Sequence, residues 1–176
     1  AEHANMDRDN SMMFFDFRNN TLKGLSIFFT FLIDDVDFSK LGTNWYGNKF
    51  VYDFGFTYEP IPEVIPLTFG FQYLRIDPYV YAHRFADNNY TSMDFGIGPN
   101  IQPNSESYYF DIKFTPYHRL DIGLSYERIN HGANTHEIAG NYITNYGGDI
   151  LLGHRVGDSD DVVFLDGVEE TTKHFI

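Results

Sequence analysis

Cysteine is absent from the 176 residues, which excludes disulfides, thiolate metal sites and cysteine nucleophiles together. No apolar run reaches the roughly 18 residues that a membrane-crossing helix needs, so no transmembrane helix is expected within it. Basic residues are scarce: 12 Lys and Arg stand against 25 Asp and Glu, a formal charge of −13. No basic cluster offers a phosphate-tracking surface, and nucleic acid drops out as a partner. Residues 1–10 are polar and unpatterned and are expected to be a loop or frayed end rather than a secretory leader, as in a mature chain or a fragment. No serine sits in a nucleophile-elbow pattern. A two-carboxylate hydrolase would need no motif, but nothing points to catalysis and the expectation is a non-enzyme.

What is plentiful is aromatic. The chain carries 13 Tyr and 18 Phe, residues that favour strands and membrane interfaces. They recur at every second position. Between Ser105 and His131, Tyr108, Phe110, Ile112 and Phe114 alternate with Tyr109, Asp111, Lys113 and Thr115. After Pro116-Tyr117-His118 the pattern resumes with Leu120, Ile122, Leu124 and Tyr126 against Asp121, Gly123, Ser125 and Glu127. A period of two gives each set its own face of a strand, and the short break reads as a hairpin turn. With that break as the loop, Lys113 is expected opposite Asp121 and Phe110 opposite Leu124. Further strands are expected at Met12–Phe17, from Leu25 to Ile33, from Phe50 to Tyr58, and from Leu67 to Tyr73 or on towards Tyr81. The alternate set in the second of these, with Phe28 and Leu32, is less polar than the pattern demands. A weak seventh strand is expected at Asp149–Val156, a short helix is conceivable within 133–144, and the end after Val162-Val163-Phe164 is hard to read.

The connections alternate between short (18–22, 60–66, 116–118) and long (35–48, 83–105, 131–146). That order places every long loop at one end, as in outer-membrane barrels. A sandwich, the main competing fold, has two equally solvated ends and no reason to produce it. The expected fold is therefore all-β, an antiparallel transmembrane outer-membrane β-barrel or partial barrel, with about seven or eight strands in a single segment, residues 1–176. Negative mean hydropathy is compatible with this, because only alternate residues of a barrel strand face lipid. The wet face would carry Asp53, Glu59, Asp111, Asp121 and Glu127, with Lys113 the clearest cation. Packing so many carboxylates inside a small closed barrel costs stability. An open sheet, completed by other segments, is expected instead.

The segments around the long loops carry a resemblance. LSIFFTFLIDDVDF, YLRIDPYVYAHR, NNYTSMDFGIGPNIQPNSES and SYERINHG follow one another as in the outer-membrane capsule-assembly family named Wzi, to which residues 12–135 are similar. The family pattern runs strand-IDD, tyrosine-rich strand, LGPNS-like segment and HG; this chain departs from it in IGPNIQPNS, where extra residues separate Gly-Pro from Pro-Asn-Ser. The resemblance implies about half of a large barrel in the bacterial outer membrane that binds capsular polysaccharide at the cell surface.

Candidate chemistry is confined to the loops. Asp34, Asp35 and Asp37 lack the Gly-punctuated spacing of a calcium loop and read as a solvated run, as do Asp158, Asp160 and Asp161. His131, His136 and Glu137 lack the second helical histidine of a zinc-protease motif; no metal and no cofactor is expected. The Gly-x-Gly of FGIGPN needs a following helix to cradle phosphate, and none follows. Trp45, Tyr46, Tyr79, Tyr81, Tyr90, Tyr142 and Tyr146, interleaved with Asn, Asp, Arg and His, read either as an interfacial girdle or as stacking faces for sugars. Segments 83–105 and 131–146 are expected side by side. That would converge Arg84, Asn88, Tyr90, Asn104, His131 and Asn134 on one rim as polysaccharide ligands. Expected partners are outer-membrane lipid, surface polysaccharide and other outer-membrane chains. The alternatives are a porin-like passive channel with an acidic lumen and a structural subunit of a larger assembly.

Overall fold

A computed structural model describes residues 12–61, 64–83, 89–93, 95–136 and 143–175. The strong alternations become strands. The elements are β1 Met13–Asn19, β2 Leu25–Asp35, β3 Lys49–Tyr58, β4 Leu67–Ile76, β5 Thr91–Ser92, β6 Phe95–Gly96, β7 Ser105–Tyr117, β8 Leu120–Ala133, β9 Thr135–His136, β10 Ile143–Thr144 and β11 Val168–Phe175. Seven of them form one sheet in the order β1-β2-β3-β4-β7-β8-β11, every pair antiparallel, with β1 and β11 as unpaired edges. The sheet is open. Its short connections (20–24, 59–66 and 118–119) lie at one end and its long ones (36–48, 77–104 and 134–167) at the other. No α-helix occurs among the described residues; Phe38–Lys40 is a 3-10 turn capped by Asp37.

The register sorts side chains into two unlike faces. On one, Ile27, Phe56, Phe71, Phe110, Tyr126 and Phe175 stand in a row across six strands. Phe17, Phe29, Phe54, Tyr73 and Tyr108 form the next. Ring centroids 4.9 Å apart in Phe71–Phe110 and 5.0 Å apart in Tyr73–Tyr108 confirm that these rings share a face. Nothing among the described residues covers it: Phe54, Phe110 and Leu124 are 42%, 47% and 62% exposed. A second sheet packed over them, the signature of a sandwich, is not there.

The opposite face divides along its length. Towards the short turns it is polar and hydrogen-bonded: Thr30 donates to Asp16, Gln72 to Asp53, and Ser107 to Glu127. Towards the long loops it is apolar, and there the loops fold over it. Val51, Leu74 and Ile76 of the sheet meet Val80, Tyr81 and Ile150 of the loops, with Leu32 and Ile101 packed alongside. This explains the apolar intruder Leu32, which serves the loop core. Phe28 has a different reason: its ring lies over Gly55 on β3, where any Cβ would collide with it.

Four expectations are corrected. Asp149–Val156 is not a strand; Asn145 holds this stretch in irregular form by donating to Gly153 O and Asp158 Oδ2. The seventh strand of the sheet is β11, from the unreadable end; as an edge strand exposed throughout it has no buried face to impose a pattern. Of the segment 133–144 where a helix was conceivable, Ala133, Thr135–His136 and Ile143–Thr144 belong to strands, β9 pairing with β10, and residues 137–142 lie outside the described residues. The hairpin turn is His118-Arg119 with a bulge between Phe114 and Tyr117. Lys113 therefore sits opposite Gly123, and Phe110 opposite Tyr126. A slip of two keeps both faces intact, and Lys113 still reaches Asp121 diagonally at 3.3 Å.

Candidate ligand-binding surface

The long loops are tied down by polar side chains. Asp34 accepts from Tyr81 N at 2.8 Å and lies 3.5 Å from His83 Nε2, while Lys49 Nζ donates to Ala82 O. Asp34 is thus buried and partnered, which corrects its reading as part of a solvated run. Tyr79 and Tyr81 take left-handed backbone, φ 61 and 67, which residues with a Cβ rarely adopt. Gly147 (φ 70) makes Tyr79 possible: it accepts Tyr79 N at 2.9 Å, and a Cβ there would stand 2.6 Å from that nitrogen. Burial pushes the Tyr79 phenol up, and the nearby Asp158 carboxylate adds to it.

Above this base lies a cleft of about 80 Å³ where β4 leaves the sheet. Residues 43–46 and 160–162 run antiparallel beside it, with Tyr46 N donating to Asp160 O and Val162 N to Asn44 O. Trp45, Tyr46 and Phe164 give it aromatic walls; Asn44, Asn48, Arg75 and Asp77 give it planar polar groups. The Arg75 guanidinium is held from two sides. It lies 3.8 Å over the Phe164 ring and bonds Asp77 Oδ1 through Nε at 2.8 Å. Burial pushes the Asp77 carboxyl up, and the Arg75 charge offsets this only in part. Tyr46 stacks on His154 at 3.6 Å and 9°. Behind His154, Arg155 clamps Asp158 through backbone and side chain, correcting the reading of Asp158 as a solvated turn residue. Burial alone raises the Asp158 carboxyl, but hydrogen bonds from Arg155 and Asn145 outweigh it and the net direction is down. Such a surface can stack a sugar ring and bond its hydroxyls directionally.

The residues anticipated from sequence are distributed unevenly. Arg84 and Asn88 lie outside the described residues, as does Tyr142. Of the expected segments 83–105 and 131–146, Asn104 meets Gly132 and Tyr146; beyond the second segment, Gln102 accepts from Ile150 N and Asn89 donates to Ile150 O. Asn104 stands at that seam, fully buried. Its amide donates to Gly132 O and Asp166 O and accepts from Leu165 N, so all its polar atoms are engaged within the chain. His131 bonds Gly148 O at 2.8 Å and faces Glu170. Asn134 accepts from Tyr146 N, while its buried Nδ2 has no partner among the described residues. Tyr90 alone of the four presents an exposed face, its ring 5.4 Å from Tyr81 at the edge of a second cleft lined by Phe95, Ile101 and Ile150. Sequence reading picked out Trp45 and Tyr46 but missed Arg75, Asp77 and Phe164. The strand-ending dipeptide Asp77-Pro78 was the available signal for the first two.

These features define a class: an open, seven-stranded antiparallel meander with one bare aromatic face and a loop cap at one end. Comparison with family models, with curated proteins and with solved structures found no match for this chain. Among the described residues no group of three potential metal ligands converges.

Proposed function

We propose that this chain forms part of the wall of an outer-membrane β-barrel and that its capped loop end contacts surface polysaccharide. The observation that carries the proposal is the bare aromatic face, spanning the sheet while the long loops pack on the opposite side. In water so wide an apolar surface is an association hazard; against hydrocarbon it is the required surface. Lipid also forbids unpaired edges, so β1 and β11 take further strands within the membrane. The polysaccharide half of the proposal rests on the Trp45–Phe164 cleft and on Tyr90. The acidic inner face, with Asp16, Asp53, Asp111 and Glu127, supports a second reading, a cation-preferring channel.

The experiment combines three measurements on the purified protein: flotation with phosphatidylcholine vesicles, conductance in planar bilayers, and retention on immobilised acidic polysaccharide. Insertion with retention, and loss of retention in Trp45→Ala/Tyr90→Ala at unchanged heat-modifiable gel mobility, is the expected result. Conductance without retention would transfer the proposal to the channel. Failure to float would refute the membrane wall.

A further inference from the structure

The boundary of the aromatic face towards the long loops holds a pair of cations that the proposed function does not use. Arg128 on β8 and Lys173 on β11 stand directly opposite each other, both exposed. The adjacent row towards the short turns is Tyr126 and Phe175, ring centroids 4.8 Å apart, with Leu124 and Ile122 beyond. The adjacent row towards the loops is Asn130 and Thr171. The pair therefore sits where the apolar band stops and polar surface begins.

Like charges directly opposite across a ladder are destabilising on their own. The other charged groups on this face are accounted for. Arg75 is held by Asp77. Glu106, the nearest carboxylate, accepts from Tyr73 Oη, Tyr108 Oη and Asn130 Nδ2. Glu169 lies four residues before Lys173, about 13 Å along an extended strand. Glu127, Glu170 and His174 project from the opposite face by alternation. Asn130 Oδ1 accepts from Arg128 Nε at 3.0 Å, which leaves the guanidinium's terminal nitrogens for another acceptor. In a chain with a formal charge of −13, two adjacent cations with no carboxylate partner among the described residues mark a place for an outside anion.

We infer that Arg128 and Lys173 bind the phosphate of a lipid headgroup at the membrane boundary, with the acyl chains of that lipid lying over Tyr126 and Phe175. The inference rests on the lipid-facing reading of the aromatic face. A forked guanidinium and an ammonium together suit a phosphate, the first giving direction and the second charge. The sheet places the anion and the acyl chains in the order in which a lipid presents them.

The test inserts the whole protein into phosphatidylcholine vesicles doped with bisphosphorylated lipid A, or with the same glycolipid stripped of phosphate. Native mass spectrometry after detergent transfer then counts the glycolipid retained. Retention should favour the phosphorylated form, and Arg128→Gln/Lys173→Gln should abolish the preference, at about fivefold per charge removed. Both positions are exposed, and unchanged gel mobility on heating checks that the variant folds. Equal retention of the two lipids, or undiminished preference in the variant, overturns the inference. So does displacement of the lipid by a soluble polyuronate, which would assign the pair to polysaccharide. Failure to enter the vesicles with either glycolipid defeats the barrel reading and this inference with it, whereas insertion without preference for the phosphorylated glycolipid defeats this inference alone.

Discussion

Asn104 shows how far a residue's type can be read and where reading stops. Its left-handed backbone, φ 55, is one that Asn tolerates better than most residues, and a polar residue in a Pro- and Gly-rich loop invites a ligand role. The fold uses it instead to join residues 132, 165 and 166 across more than sixty positions of sequence, a closure no local pattern announces. Asn104→Ala leaves three buried backbone groups without partners and should cost about 3 kcal/mol or more, seen as a lower unfolding temperature in detergent. A ligand residue would instead leave that temperature unmoved. Asp158 gives a pH signature. Its folded pKa is depressed, so its stabilisation is complete above the unfolded value near 3.9 and is lost as pH falls through the folded one. The difference in unfolding temperature between the wild type and Asp158→Asn should therefore be full at neutral pH. It should shrink progressively below about pH 5; a difference independent of pH would mean that the Arg155 clamp contributes nothing through charge.

At the scale of elements, legibility followed burial and the contrast between the two faces. Strands β2, β3, β4, β7 and β8 put unlike residues on their two faces, and period two exposed them. Strand β11, VEETTKHF, is exposed on both faces, so nothing selects an alternation and its sequence resembles a loop. The hairpin register failed for a narrower reason: Pro116 suggested the turn, but it sits in the bulge before Tyr117, and parity alone cannot tell registers two residues apart. The cysteine-free background makes a direct check simple. Lys113→Cys/Gly123→Cys should oxidise to an intramolecular disulfide, because directly opposed Cβ atoms come within about 5.5 Å. Lys113→Cys/Asp121→Cys, a diagonal pair, should cross-link poorly; the reverse outcome would restore the register with Pro116-Tyr117-His118 as the turn. The candidate cleft was less legible than any strand, since Trp45, Arg75 and Phe164 come from three distant segments that only the folded loops bring together.

For the whole molecule, the two faces assign opposite consequences to one substitution. Phe110 is 47% exposed in the isolated chain, so in water Phe110→Arg should change stability by no more than about 0.5 kcal/mol. In a bilayer the same charge should cost about 2–4 kcal/mol if it lies near the midplane. Denaturant titration of the vesicle-inserted protein separates the two. The sheet's edges carry a further consequence, one of parity. Seven strands in strict up-and-down order leave β1 and β11 pointing the same way. A wall closed entirely by antiparallel pairs must therefore gain an odd number of strands between those edges. A second copy of this sheet, inserted with its loops on the same side, would bring seven strands yet still meet the first in its own alternation: its β1 would run parallel to the neighbouring β11 at both seams. Identical copies could thus ring together only through parallel seams, and an all-antiparallel barrel requires a different, odd-stranded complement whose outermost strands run opposite to β1 and β11.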